Sequence, residues 1–193
     1  MKAIFKVTAV AALMAGAVSM AHAAPAHRNA DVEITGNIVN YTCDLSIPQS
    51  HYDLGNHTAD EFGTFGTPPA PEEVGAKQFL LEVKDCAGSL AAKQDLSLQV
   101  NQTGADNVAD AANFWGDDGG THAGIILKMK TGTLAEAAVT PANNTYKILV
   151  GSETAETPLA GQAFPVVVTA AMKAAAVPLP GALKANLQFT MAE

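Results

Sequence analysis

Two cysteines, Cys43 and Cys86, are the residues of this sequence best suited to covalent chemistry. They stand far apart, so they lack the C-x-x-C spacing of a redox-active dithiol. Neither has the further cysteine or histidine ligands nearby that a zinc site requires. In an exported chain, such a pair is expected to form one intramolecular disulfide with a structural role.

Other side chains that catalyse reactions or bind metals are scattered along the sequence. His51, Asp53, His57 and Asp60 form the densest set, but their spacing matches no metal motif and favours a polar loop. The Asp117-Asp118 pair lacks the further oxygen ligands of a calcium loop. No G-x-S-x-G or G-x-x-x-x-G-K-[ST] motif is present. The sequence therefore predicts a protein that is not an enzyme and has no cofactor and no metal.

The first 23 residues have the order of a secretory signal peptide. Lys2 and Lys6 precede an apolar run from Val7 to Val18, and Ala21-His22-Ala23 supplies small residues for cleavage. The run holds about a dozen residues, whereas a membrane-spanning helix needs about 20. We expect cleavage after Ala23 and export of the remaining chain.

Size and charge limit the classes of protein that remain. The 193 residues less the 23 of the signal leave 170, within the range of one domain. Loss of Lys2 and Lys6 changes the formal net charge from −8 to −10, and no basic cluster remains. This balance argues against binding of nucleic acid or anionic lipid.

Short stretches of alternating apolar and polar residues recur between segments rich in glycine, proline and asparagine. In residues 95–101, for example, Leu96, Leu98 and Val100 share one face. Residues 164–172 are apolar on both faces, so this strand is expected to be central. We predict an all-β sandwich of immunoglobulin-like type. The other candidate strands occupy residues 39–47, 79–83, 125–130 and 146–150, and loops are expected at 62–75 and 104–124.

The end of the chain has the cleanest alternation. A strand this apolar on one face is an aggregation hazard at an open edge, so we expect something to cover it. Pairing within a complete sandwich is the simpler alternative. The residues on the apolar face are Leu183, Ala185, Leu187, Phe189 and Met191.

The segment after the signal also alternates. It is either a frayed tail or an extended arm that adds a strand to a neighbouring molecule, and composition leaves both open. One side holds small apolar residues interrupted by an arginine: Ala24, Ala26, Arg28, Ala30, Val32 and Ile34.

Several motifs occur in an order typical of one family. They are Gly36 to Cys43, Asp53-Leu54-Gly55, Phe79 to Cys86, Gly124 to Leu127, and Gly181 before the final alternating strand. Together with the signal peptide, they resemble the chaperone-usher fimbrial subunits, the type 1-like pilins. The resemblance covers nearly all of the chain after the signal. Three features depart from the family pattern: Ala192 replaces the usual penultimate tyrosine, Gly181 stands one position closer to the end than usual, and the arm has alanines where the family commonly has branched residues.

The resemblance implies an immunoglobulin-like fold that lacks its last strand and is completed by a donor strand from a neighbouring subunit. It divides the chain into a signal peptide (1–23), a donor-strand extension (24–35) and a pilin domain (36–193). The groove strand would comprise Gly181 and the five apolar residues of the C-terminal strand. The implied partners are a periplasmic chaperone, an outer-membrane usher and identical or related pilin subunits, and the implied location is a fimbrium that supports adhesion at the cell surface.

Two alternatives keep the sandwich but change its role. The chain would then be a monomeric secreted binding module, or a single-domain adhesive pilin that recognises a host receptor. Trp115, the only tryptophan, lies in a glycine-rich loop. An exposed indole there would suit stacking on sugar, and burial in the core is the competing expectation.

Overall fold

The computed structural model describes residues 38–65, 72–104, 108, 110–116, 120–132 and 134–192. Much of this part of the chain is in β-strands. The predicted signal peptide (1–23) and arm (24–35) lie outside these residues. All described residues except Ile38 belong to one compact unit that begins at Val39. Its strands are β1 Tyr41–Ser46, β2 Val74–Leu90, β3 Leu96–Gln102, β4 Ala123–Thr131, β5 Ala137–Val139, β6 Thr145–Leu149, β7 Thr157–Pro158, β8 Phe164–Ala174 and β9 Leu187–Met191, and a 3-10 helix spans Ala59–Phe62.

The strands form two antiparallel sheets. The larger sheet has the order β1-β2-β8-β4-β5, and β7 pairs with the end of β2. The smaller sheet has the order β6-β3-β9. Side chains from both sheets meet in one apolar cluster between them. The predicted all-β, immunoglobulin-like sandwich is confirmed.

Alternation along each strand places the core residues. Leu81 of β2, Leu98 of β3 and Val168 of β8 are each 0% exposed. β8 lies centrally, between β2 and β4, as predicted from its apolar sequence. Its outer face is not covered, however, because Val167 is 37% exposed and lies opposite Leu80 in the register.

The disulfide between Cys43 and Cys86 is present, with the two Cα atoms 4.1 Å apart. It joins β1 to β2, which are neighbours in the larger sheet. The register of this pair shifts between Thr42 and Asp44, so the bond spans an irregular point of the ladder. The disulfide holds the edge strand β1 against β2, just before the segment that follows Ser46.

Strand β2 begins within the segment predicted to be a proline-rich loop. Val74 pairs with Met172, and the register shifts before Lys77. Gly75 lies in this shift with φ of +66°, and a Cβ there would stand 2.4 Å from the carbonyl oxygen of Leu54. A glycine is required because the segment after β1 passes directly over the strand.

Candidate functional site: a groove along the last strand

Strand β9 lies at the edge of the smaller sheet. It pairs with β3 along its length, and no strand among the described residues pairs with its other edge. Alternation predicted a strand from Leu183, but β9 starts later because β3 ends at Gln102. Beyond that point the ladder gains one bond, from the Thr103 N–H to the Asn186 carbonyl at 2.8 Å. The unpaired edge is a template for another strand.

A groove of about 840 Å³ runs beside this edge. Residues 47–59 form one wall, and residues 178–189 form the other. Its floor reaches the core because Leu127 and Ala170 belong to the central apolar cluster. Side chains of β2, β4 and β8 make that floor: Phe79, Ile125, Leu127, Ala170 and Met172.

The predicted groove residues lie along one wall. Gly181 is exposed, and a Cβ there would meet the Thr121 Cγ2 at 2.5 Å. The five apolar residues of the predicted strand are all half-buried. Met191 does not line the groove, and the other four do: Leu183, Ala185, Leu187 and Phe189. The predicted donor-strand residues, from Ala24 to Ile34, lie outside the described residues. Their contact with the groove remains a prediction.

An aromatic cluster fills part of the groove. The Tyr52 ring stacks on Phe79 with centroids 4.3 Å apart, and Phe79 meets the edge of Phe189 at 6.3 Å. Tyr52 and Phe79 come from different elements, which is why sequence reasoning singled out His51 and Asp53 but missed Tyr52. The available signal was an aromatic residue within the polar loop after the first strand.

The wall opposite β9 is held by a histidine. The Nδ1 of His57 lies 2.7 Å from a Glu61 carboxylate oxygen, and its Nε2 lies 2.9 Å from the Leu54 carbonyl. The Glu61 side chain raises the pKa of His57 above 6.5, and the Leu54 carbonyl acts in the same direction. The Glu61 carboxylate and the Leu54 carbonyl both accept hydrogen bonds. The protonated His57 ring has two N–H donors and can bond to both, whereas the neutral ring has one donor and can bond to only one.

Glu61 completes this wall. Its carboxylate accepts hydrogen bonds from the N–H and hydroxyl of Thr58, in a capping box at the start of the 3-10 helix. The pKa of Glu61 is lowered to about 2. The hydrogen bond from the Thr58 N–H is the largest cause, and the hydrogen bond from His57 is the next largest. His57, Glu61 and Thr58 therefore form a local hydrogen-bond network that holds this wall.

The polar loop shows no convergence of metal ligands. Within the described parts of the chain, no group of three or more histidine, cysteine, aspartate or glutamate side chains is placed to hold a metal ion. His57 is instead engaged by Glu61 and Leu54. Likewise, none of the helices in these parts is long and apolar enough to cross a membrane.

Trp115 is part of the core. Its side chain is 2% exposed, and its indole N–H donates to the Val139 carbonyl at 2.8 Å. Its backbone exchanges two hydrogen bonds with Ile125 of β4. The ring is thus unavailable for stacking on a sugar, which removes the feature that favoured receptor binding through this loop.

A protein-family model matches most of this chain. The family model "Fimbrial protein" matches residues 32–192. A chain from a chaperone-usher pilus structure that addresses rod uncoiling is 14% identical, over 86% of this chain and 96% of that chain, with a TM-score of 0.48. The P pilus rod subunit PapA is 17% identical, over 78% of this chain and 97% of that chain, with a TM-score of 0.44. No curated protein sequence matches significantly. Because the family model covers most of the sequence, this chain belongs to the fimbrial protein family.

Proposed function

We propose that this chain is a structural, non-catalytic pilin subunit that polymerises by inserting its N-terminal arm into the groove of a neighbouring copy. The observation that carries the proposal is the edge of β9 with which no described strand pairs, beside a groove whose floor of apolar side chains opens onto the core. A donated strand would pair with that edge and cover the groove floor. This is strand addition between protomers.

The arm and the groove agree in length and pattern. Residues 183–191 span about 30 Å at about 3.3 Å per residue, and a 12-residue arm spans about 40 Å. In an extended arm, the side that holds Val32 and Ile34 would face the floor. The other side, with Asp31 and Glu33, would face solvent.

The geometry of this contact favours a filament. The arm and the groove are different surfaces of one chain, so each subunit uses both and the contact is head-to-tail. Such a contact produces an open polymer unless its rotation closes a ring. The donated arm also covers the edge that would otherwise promote aggregation.

Export and assembly complete the proposal. A free subunit with an open groove needs a temporary occupant, and the resemblance assigns this role to a strand of a periplasmic chaperone. The outer-membrane usher would then exchange that strand for the arm of the next subunit. The product would be a fimbrium at the cell surface that supports adhesion.

Substitution within the arm tests polymerisation directly. Val32→Asp places a charge on the side that would face the groove, whereas Asn29→Asp places the same residue on the opposite side. Burial of an unpaired carboxylate is costly, so we expect Val32→Asp to abolish polymers and Asn29→Asp to leave them intact. Size-exclusion chromatography and electron microscopy of the exported chain measure the result. Polymers of normal yield from Val32→Asp would contradict the proposal.

A further inference from the structure

A polar residue ends the core-facing row of β3. Leu96, Leu98 and Val100 are buried on this face, and Gln102 is half-buried at the next position of the same face. The pattern of the strand favours an apolar residue there. A side-chain amide that turns away from water needs hydrogen-bond partners, because its burial is otherwise unfavourable. The partners of Gln102 therefore indicate what this position contributes.

The side-chain amide of Gln102 bonds to the backbone of Gly116 at two points. The Gln102 Oε1 accepts a hydrogen bond from the Gly116 N–H at 2.7 Å, and the Gln102 Nε2 group donates to the Gly116 carbonyl at 3.4 Å. Gly116 is buried and follows Trp115, whose backbone pairs with Ile125 of β4. The amide thus links the end of β3 to the segment that runs beside β4.

Gly116 lies directly behind one wall of the groove. Its φ is +118°, and a Cβ there would stand 2.8 Å from the Lys184 carbonyl oxygen and 3.4 Å from the Ala185 Cβ. Lys184 and Ala185 line the groove, whereas Gln102 and Gly116 lie outside its lining. The backbone of Gly116 therefore supports this wall from behind, and only a residue without a side chain can approach it so closely.

This support matters because part of the wall lies beyond the regular ladder. β9 begins at Leu187, and residues 183–186 precede it. The Thr103 N–H bonds to the Asn186 carbonyl, at the end of this segment nearest β9. The contact with Gly116 supports the more distant part. Together, the two contacts fix the position of the wall.

We propose that Gln102 is a positioning residue, which acts through Gly116 to hold residues 183–186 where a donated strand needs them. The inference rests on the proposed function. A wall that moves in the free subunit must be ordered when the strand binds. The apparent affinity for the strand then falls with the fraction of subunits whose wall is correctly placed. A change at Gln102 should therefore weaken the polymer more than it weakens the subunit.

Release of subunits from polymers of the exported chain tests this role. Gln102→Leu suits the apolar face of β3 but removes the amide from the buried backbone of Gly116. Asn101→Leu is the matched control, because the Asn101 side chain is on the opposite face and bonds to Asn144, just before β6. For each polymer, the rate of release in denaturant is compared with the stability of the released subunit. We expect Gln102→Leu to accelerate release by about fivefold to tenfold, and Asn101→Leu by less than about twofold.

Two further variants act on the same contact. Gln102→Glu keeps the acceptor for the Gly116 N–H and loses the donor to the Gly116 carbonyl, so its release rate should be intermediate. Gly116→Ala presses on the Lys184 carbonyl and should also accelerate release. Because both changes disturb one contact, Gly116→Ala combined with Gln102→Leu should have less than the sum of the two separate effects.

The outcomes separate this inference from the proposed function. Equal release rates for Gln102→Leu and Asn101→Leu would overturn the positioning role. An acceleration explained entirely by lower stability of the subunit would overturn it as well. A Gln102→Leu chain that folds but forms no polymer would support it, and if that variant does not fold, the Gln102→Glu polymer provides the same comparison. Failure of the natural chain to polymerise would instead refute the proposed function.

Discussion

Strands β8 and β9 both place apolar residues on the inward face but have different surroundings. Along β9 these residues alternate with polar ones, whereas β8 is apolar on both faces. In β8, Val166 and Val168 are 0% exposed, and neighbouring strands pair with both edges. In β9, Leu187 and Phe189 are only half-buried, and one edge has a neighbour among the described strands. Among the described strands, β8 therefore has two neighbours and β9 has one.

This comparison shows what alternation predicts. Period-two alternation identifies the face of a strand that turns inward, but it does not state how many strands will cover that face. For β8, the same chain supplies the cover. For β9, we propose that a second copy supplies it.

The largest effect is expected from truncating a leucine in the closed core, and the same change in the groove provides the comparison. Leu81 pairs in register with Val166 of β8 and is 0% exposed, so Leu81→Ala should destabilise the subunit by about 2–5 kcal/mol. Leu187→Ala at the half-buried groove should cost about 1 kcal/mol in the free subunit, with a larger cost in the polymer. Chemical denaturation of both forms measures these values. A loss of equal size for the two variants in the free subunit would break the comparison.

A smaller effect is expected at Trp115, in the closed part of the core. Trp115→Phe removes the donor to the Val139 carbonyl and should lower the free energy of unfolding by about 1–3 kcal/mol. Equilibrium denaturation followed by circular dichroism provides the measurement. Because the ring lies in the core and not in the groove, we expect no change in polymer yield at temperatures well below unfolding. A large loss of polymer with unchanged subunit stability would place Trp115 in the interface.

The smallest effect concerns the groove wall and depends on pH. The pKa of His57 is raised in the folded chain, so its stabilisation is complete below pH 6.5 and is lost as pH rises through the folded value. The pKa of Glu61 is lowered from 4.5 to about 2, so its contribution is present above pH 4.5 and lost as pH falls toward 2. We expect the unfolding midpoint to fall modestly from pH 6 to pH 8.

Two histidine variants check the origin of that slope. His57→Gln should flatten it, whereas His51→Gln, at an exposed position, should leave it in place. Midpoints measured at constant ionic strength are sufficient. A slope that survives His57→Gln would assign the pH dependence to other groups.

Much of the fold could be predicted from the sequence because its strands show strong local patterns. Leu96, Leu98 and Val100 alternate without interruption, and the expected strand there matches β3 closely. The short strands β5 and β7 were missed, since two or three residues carry no measurable periodicity. The early start of β2 was missed because Val74 is placed by pairing with the distant Met172.

The groove could be predicted only in part. Its C-terminal wall has a local pattern, from Leu183 to Met191. The opposite wall depends on contacts between residues distant in sequence, such as Tyr52 on Phe79 and the Leu54 carbonyl over Gly75. Single-sequence patterns contain no information about such tertiary contacts.

The most direct test of strand donation moves the arm within the chain. Residues 24–35 are transferred from the N-terminus to a position after Glu193, joined by a short glycine-asparagine turn so that the arm can fold back along β9. We expect a monomer with a higher unfolding midpoint than a chain without the arm, and Val32→Asp in the transferred arm should abolish the gain. A transferred arm that leaves the midpoint unchanged would contradict strand donation.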